Sequence, residues 1–204
     1  MPAIYHFTHG KNLASIIAAG ELRASAMAET LIDIADAKIK GGRGARAVTC
    51  GQGGCVGDYV PFYFAPRSPM LFRIQAGGVE GVDGDPRGII YFATTTERIA
   101  AAGLPCVFTD GNAAAALTGF SDDLGRLAEK VDWPLMEARY WNNTEEDGDR
   151  VRRRGAEFLV HGAVPMTLID EIGVYDDGAQ RRVEEILAAG GVELSVNVRR
   201  GWYF

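Results

Sequence analysis

The chain has 204 residues, 47% of them hydrophobic, with a formal net charge of −6 and a pI near 5.1. This composition supports one hydrophobic core and predicts a single domain over residues 1–204. An acidic balance argues against a protein that coats nucleic acid non-specifically. No apolar run is long enough to cross a bilayer, the N-terminus lacks the features of a secretory signal, and three cysteines favour a reducing compartment. We therefore expect a cytoplasmic protein, with no membrane contact and no metal site.

The first 40 residues predict one strand and two helices. Ile4 to Thr8 alternates apolar and polar residues with the period of a strand. A helix is expected to begin near Thr8 or His9 and to end at Gly20. Ala26 to Ile39 carries apolar residues at helical spacing, which predicts the second helix.

The next segment combines a flexible loop with an aromatic strand and a stiff turn. Seven glycines lie between Gly41 and Gly57, so we expect a mobile loop without regular structure there. Tyr59 to Phe64 is strand-like, and Pro61 predicts that this strand lies near a sheet edge or a bulge. The prolines that follow fix a turn in which Ser68 is a candidate helix cap.

The remaining chain alternates short strands with a few helices. Proline at the first helical position and apolar spacing predict helices over Pro134–Tyr140 and Ala179–Leu187. Strands are predicted over Ile89–Thr94, Val107–Thr109, Ala156–Val160, Leu168–Tyr175 and Leu194–Val198. The sum is a mixed α+β domain without βαβ regularity.

Several common site motifs are missing from the sequence. Neither the P-loop pattern nor G-x-G-x-x-G follows a strand, and no G-x-S-x-G elbow is present. What remains is a histidine ending the first strand, loop arginines, an aromatic turn and one glutamate at the head of an apolar strand. Each of these has an ordinary structural explanation when it is taken alone.

Their order along the chain, however, resembles the DarT family, the DNA ADP-ribosyltransferase toxins of DarT–DarG toxin–antitoxin pairs. The resemblance extends from residue 4 to about residue 165, and its long central motif is the most specific part. The matching runs are IYHFTH with Asn12-Leu13, DYVPFYF with Pro66-Arg67-Ser68-Pro69-Met70, and AEFLV with Val164-Pro165.

The resemblance implies an ADP-ribosyltransferase-like fold with a central split β-sheet and flanking helices. It implies NAD as the ADP-ribose donor, a base of single-stranded DNA as the acceptor (thymine first, guanine second), and a macrodomain antitoxin of the DarG type as partner. By position, Glu157 is the expected catalytic glutamate and His9 the expected contact to the NAD ribose. The loop arginine near the reacting centre is Arg46 or, in the other register, Arg43. Further NAD contacts are expected from Thr8, Asn12, Tyr63, Arg67 and Met70, and DNA contacts from Tyr140, Trp141, Arg150, Arg152, Arg153 and Arg154.

These residue types suit the expected reaction. Cleavage of the nicotinamide–ribose bond gives an oxocarbenium-like sugar, which a carboxylate such as Glu157 stabilises. The same carboxylate can accept a proton from the attacking base, and a nearby guanidinium favours the deprotonated base. Two alternatives stay open: an enzyme of this fold that modifies guanine, RNA or protein, and an inactive module that binds NAD or nucleic acid.

Overall fold

The computed structural model describes residues 2–28, 32, 42–79 and 82–204. The strands in these ranges are β1 (Ala3–His9), β2 (Glu21–Arg23), β3 (Tyr59–Tyr63), β4 (Ile89–Thr95), β5 (Cys106–Thr109), β6 (Phe120–Ser121), β7 (Glu157–His161), β8 (Ala163–Pro165), β9 (Glu171–Val174) and β10 (Ser195–Val198). The α-helices are α1 (Leu13–Ala19), α2 (Pro69–Gln75), α3 (Thr96–Ala101), α4 (Leu127–Lys130), α5 (Trp133–Glu137), α6 (Arg150–Arg154) and α7 (Asp177–Ala189).

Eight of the strands form one sheet in the order β10-β9-β4-β1-β3-β7-β5-β6, and β2 pairs with β8 in a small separate sheet. The strands of the large sheet are antiparallel except for β9 and β10, which are parallel and joined by α7. The link between β1 and β3 is a single registered pair, Tyr5 with Tyr63. The sheet is therefore nearly split at its centre, as the resemblance implied.

The two faces of the large sheet are covered differently. One face carries the main core, in which buried aromatic residues of neighbouring strands, such as Phe62, Phe92 and Phe158, meet the helices. The opposite face carries two smaller clusters, one around Phe7 and Tyr91 and one around Tyr59, Val107 and Leu159. Because strand residues alternate between faces, Glu157 lies on the face that carries the two smaller clusters.

Most of the predicted strands are confirmed, with ends that differ by a few residues. Gly20 ends α1 with a φ of 72°, the left-handed conformation that glycine adopts most easily. Ser68 caps α2 by accepting a hydrogen bond from the Leu71 amide at 3.2 Å. The helix predicted over Ala26–Ile39 lies mostly outside the described residues, and its described start, 26–28, belongs to a turn.

Two predictions about local structure were wrong. The glycine-rich segment contains regular structure, with a helical turn at 42–45 and a 3-10 helix at Val56–Asp58. A single βαβ unit, β9–α7–β10, occurs in an otherwise antiparallel sheet, in agreement with the expected lack of βαβ regularity. The helix expected over Pro134–Tyr140 spans Trp133–Glu137 and ends there because Ala138 is extended.

Pro61 is also placed differently from the prediction, because β3 is a central strand with β1 on one side and β7 on the other. The carbonyl of Pro61 accepts a hydrogen bond from His6 Nδ1 at 2.8 Å, so this carbonyl faces β1. The split leaves no β1 ladder beside Pro61, and the missing N–H therefore costs no ladder hydrogen bond.

Among the described residues, no helix has both the length and the apolar character required to span a bilayer.

Candidate active site

Glu157 is the first residue of β7, a central strand paired with β3 on one side and β5 on the other. Its side chain has no solvent exposure. Both carboxylate oxygens accept hydrogen bonds from Arg43 Nη1, at 3.1 Å and 2.8 Å, and the Ala113 amide donates to Oε1 at 2.9 Å. A buried carboxylate is tolerated only when it is paired and hydrogen-bonded, and these contacts supply both conditions.

The structure brings Arg43, and not Arg46, to Glu157. Burial acts to lower the pKa of Arg43, but the charge of Glu157 and their hydrogen bonds outweigh it and raise that pKa. Arg43 Nη2 is buried and has no hydrogen-bond partner among the described residues. One donor of this guanidinium is therefore available beside the carboxylate.

Arg46 points to a neighbouring loop. Its Nη2 donates to the carbonyls of Ala116 and Thr118, at 3.2 Å and 3.0 Å, and its guanidinium lies 5.6 Å from the centre of the Phe120 ring. This loop, residues 110–119, carries the Ala113 amide that bonds Glu157. Arg46 thus supports the loop behind the carboxylate, which differs from the role near the reacting centre that the sequence favoured.

The structure also contains a cavity of about 700 Å³, whose lining residues include His6, Thr8, Asn12, Glu21 and Arg23. The charge of Arg43 is felt at His6 in the cavity wall, although neither Arg43 nor Glu157 is among the residues that line the cavity. Burial first, and then Arg43, lower the pKa of His6 to about 4, although its bond to Pro61 opposes the shift. His6 is therefore neutral at pH 7.

The structure places His6 in the cavity wall, whereas the sequence favoured His9. The His9 ring lies outside the cavity, where its Nδ1 accepts a hydrogen bond from the Lys11 amide at 3.1 Å and its edge faces Gly88. The alternation of β1 would have indicated His6, because it shares a strand face with Thr8, whereas His9 lies on the opposite face. The sequence therefore contained this information in the two-residue period of β1.

The other predicted NAD contacts have different environments. Asn12 is committed to the backbone of Ile32, donating to its carbonyl at 2.8 Å and accepting from its amide at 3.0 Å. It also donates to Thr8 at 3.0 Å, so it supports the cavity wall. Tyr63 is paired with Glu157 across β3 and β7, and burial followed by the charge of Glu157 raises the pKa of its hydroxyl. Met70 packs in the smaller cluster around Phe7.

Arg67 lies in the turn between β3 and α2. Its guanidinium sits 4.4 Å from the centre of the Phe204 ring, and its Nε is buried without a partner among the described residues. Its carbonyl accepts two hydrogen bonds from Arg154. Arg67 is not among the residues that line the cavity.

The arginine run predicted to bind DNA is largely paired within the protein. Arg150 donates to the carbonyls of Asn142 and Tyr140, both at 2.9 Å. Arg152 bonds the carboxylates of Asp149 and Asp110. Arg153 bonds those of Asp147 and Asp132. Arg154 is 4% exposed and bonds only backbone carbonyls, so the structure does not present it to a phosphate.

The two aromatic residues predicted to meet DNA differ in accessibility. Tyr140 is 73% exposed, whereas Trp141 is buried and packs edge-on against Phe72 and Phe204. Tyr140 is therefore the more accessible ring, with the Arg139 guanidinium 5.3 Å from its centre, and Trp141 packs beneath the surface.

Solved structures of similar fold place this site in a known class of enzyme. Thermus sp. 2.9 DarT in complex with ADP-ribosylated ssDNA is 36% identical, with a TM-score of 0.93 and coverage of 100% of this chain and 96% of that one. The same Thermus protein in complex with NAD⁺ is 34% identical, with a TM-score of 0.90 and coverage of 100% and 98%. The fold is that of an ADP-ribosyltransferase.

The particular family follows from the sequence comparisons. The family described as "ssDNA thymidine ADP-ribosyltransferase, DarT" matches residues 5–204. A DNA ADP-ribosyl transferase of Thermus aquaticus is 39% identical over 204 residues, which cover 98% of this chain and 88% of the relative. One of Mycobacterium tuberculosis is 35% identical over 205 residues, with coverage of 98% and 88%. The chain belongs to the DarT family.

Proposed function

We propose that this protein transfers ADP-ribose from NAD to thymine in single-stranded DNA and acts as the toxin of a toxin–antitoxin pair. The observation that carries the proposal is the buried Glu157–Arg43 pair, whose arginine charge is felt at His6 in the wall of a cavity of about 700 Å³. That volume is within the range of ligand sites, about 300–1,000 Å³. An inactive binding module would not need a fully buried carboxylate held by three hydrogen bonds.

The donor side of the site is the cavity beside β1. Because a carbonyl oxygen only accepts, the bond to Pro61 places the proton of neutral His6 on Nδ1. Nε2 then carries a lone pair and accepts a hydrogen bond from a ribose hydroxyl. We therefore assign the ribose contact to His6, with Thr8 on the same wall.

The acceptor chemistry follows from the structure of thymidine. Its N1 is bonded to deoxyribose, so N3 carries the only ring N–H. In the transfer, the bond between ribose C1′ and the nicotinamide nitrogen breaks, and a bond between C1′ and thymine N3 forms. The N3 proton passes to the Glu157 carboxylate, and nicotinamide leaves as a neutral molecule.

Arg43 completes the site through its unpartnered Nη2. A thymine carbonyl next to N3 can accept a hydrogen bond from this group, which stabilises negative charge as the N3 proton leaves. The same guanidinium holds Glu157 in place through Nη1. We therefore assign to Arg43 the role near the reacting centre, and to Arg46 the support of the 110–119 loop.

The partner and the compartment are inferred from the relatives. A Thermosipho africanus protein, 28% identical over 178 residues covering 85% of this chain and 42% of its own length, is a DNA ADP-ribosyl transferase–DNA ADP-ribosyl glycohydrolase fusion protein. We propose a separate macrodomain glycohydrolase of the DarG type as the antitoxin here. The three cysteines are free thiols, which supports a reducing cytoplasm. We also retain the assignment of residues 1–204 to one domain.

The test is transfer of labelled ADP-ribose from NAD to short single-stranded oligonucleotides. We expect label on an oligonucleotide with one thymine, and none on the same oligonucleotide with 3-methylthymine, because the methyl group replaces the N3 proton. Oligonucleotides in which guanine is the test base, RNA and protein serve as the other acceptors. Equal labelling of the methylated oligonucleotide, or preferential labelling of RNA or protein, would overturn the proposal.

Variants of the two loop arginines separate their roles. Arg43→Lys keeps the positive charge but removes the second donor, Nη2, so we expect transfer to fall by roughly a hundredfold or more. Arg46→Lys is the matched control, for which a loss of roughly tenfold or less is expected because it acts through backbone carbonyls. A greater loss in Arg46→Lys than in Arg43→Lys would reverse the assignment.

A further inference from the structure

We propose that Arg154 is a positioning residue that fixes the acceptor-strand side of the site by joining the Arg67 turn to the end of α5. The proposal rests on the proposed function, because it assigns these two segments to the DNA side of that reaction. It departs from the sequence-based expectation that Arg154 contacts DNA directly.

Arg154 makes five short contacts, all to backbone carbonyls. Nη1 donates to Leu135 at 2.6 Å, to Met136 at 2.7 Å and to Ala138 at 3.3 Å. On the other edge of the guanidinium plane, Nε and Nη2 donate to the Arg67 carbonyl at 3.2 Å and 3.1 Å. The one side chain therefore caps the C-terminal end of α5 and anchors the turn before α2 at the same time.

Burying a charged arginine at this position costs free energy, which argues that Arg154 does more than fill space. The residue is 4% exposed, and no carboxylate bonds its guanidinium among the described residues. Burial, followed by the charge of Arg67, lowers the pKa of Arg154 to about 10. A buried charge without a counter-ion persists where its hydrogen bonds hold a geometry that matters.

We assign the segments that Arg154 joins to the acceptor side for two reasons. The cavity assigned to NAD is lined by residues of β1, α1, β2 and the turn after β2, and none of its lining residues comes from 64–75 or 133–154. Just beyond α5 is the exposed Tyr140, and at the Arg67 turn a guanidinium lies over the half-exposed Phe204 ring. Exposed aromatic rings next to arginines form the kind of surface on which single-stranded bases stack.

Lysine cannot replace this contact. A guanidinium presents its donors in a fixed plane, so its two edges reach two segments at once, whereas an ammonium is a single point of three donors. Arg154→Lys keeps the charge and most of the volume but holds only one of the two segments. The variant therefore tests the coupling with little change in the packing of the core.

The experiment compares wild type, Arg154→Lys and the control Arg98→Lys in the transfer assay. Arg98 lies on α3 and also donates to a backbone carbonyl, that of Thr167, at 2.7 Å. For Arg154→Lys we expect KM for the oligonucleotide to rise by roughly tenfold or more, with KM for NAD within about threefold of wild type. Arg98→Lys should leave both constants near the wild-type values.

A second measurement uses the wild-type protein and needs no variant to fold. Hydrogen exchange at residues 66–70 and 138–142 should slow together when a thymine oligonucleotide is added, and should not respond to NAD alone. The positioning role is overturned if Arg154→Lys loses only thermal stability, if KM for NAD rises as much as KM for the oligonucleotide, or if only one of the two segments is protected. Absence of transfer by wild type would instead refute the proposed function itself.

Discussion

His6 and His9 lie three residues apart on β1, yet only His6 lines the cavity. We predict that His6→Gln raises KM for NAD by roughly three- to tenfold, the cost of one hydrogen bond to the ribose. His9→Gln should leave KM near the wild-type value, because that ring caps a 3-10 helix and faces Gly88. Steady-state kinetics at saturating oligonucleotide would measure both constants, and a larger effect in His9→Gln would restore the assignment made from the sequence.

The depressed pKa of His6 also predicts a pH dependence of stability. An unfolded histidine titrates near 6.5, whereas folded His6 titrates at about 4. Between these values the unfolded chain binds more protons, so the stabilising contribution is complete above about pH 6.5 and is lost as the pH falls toward 4.

We expect the free energy of unfolding to decrease by about 1–2 kcal/mol between pH 7.5 and pH 5 through this group alone. Urea denaturation at the two pH values gives the change in the free energy of unfolding for wild type and for His6→Gln. The difference between these two changes is the contribution of His6. If both proteins lose the same stability, other groups account for the dependence and His6 does not remain neutral.

At the scale of single elements, α2 depends on its cap. Ser68 is fully buried, and its hydroxyl accepts from the Leu71 amide, while Pro69 supplies the first helical residue. We predict that Ser68→Ala destabilises the protein by about 1 kcal/mol and lowers Tm by about 2–4 °C. It should also reduce transfer, because the adjoining Arg67 turn loses its anchor to the helix.

Thr95→Ala is the matched control for that prediction. Thr95 caps α3 through a bond from the Arg98 amide at 3.2 Å, far along the chain from the active-site segments. We expect a similar loss of Tm, measured by calorimetry, with kcat/KM unchanged. Equal losses of activity in the two variants would mean that the effect of Ser68 is one of stability alone.

The strands of this protein were easier to predict from the sequence than the contacts that their residues make with the rest of the fold. Periodicity predicted β1, β4 and β7, because each buries a face whose spacing is written in the chain. The prediction for Pro61 was wrong because it used the local rule that proline avoids central strands. That rule takes no account of the split between β1 and β3, which allows proline in this central strand. Periodicity also could not distinguish Arg43 from Arg46. The two arginines lie three residues apart at one helical turn, and the packing of that turn determines that Arg43 reaches Glu157 and Arg46 reaches the 110–119 loop.

At the scale of the whole molecule, the charge distribution limits how DNA can be held. The chain carries a net charge of −6. The basic run at Arg150–Arg154 is largely neutralised by Asp110, Asp132, Asp147 and Asp149 or engaged by carbonyls. A protein of this kind gains little from phosphate neutralisation, so we infer that base stacking and hydrogen bonds to the thymine supply most of the acceptor affinity.

This inference predicts a shallow dependence of oligonucleotide binding on salt. Each phosphate neutralised on a single strand contributes about −0.7 to the slope of log affinity against log salt. Contacts to one or two phosphates give a slope no steeper than about −1.5, whereas release of all three of Arg150, Arg152 and Arg153 would give about −2.1. Fluorescence anisotropy of a labelled oligonucleotide between 50 and 300 mM salt would measure the slope. A value near the steeper limit would mean that Arg150, Arg152 and Arg153 leave their carboxylates and carbonyls for the phosphates when DNA binds.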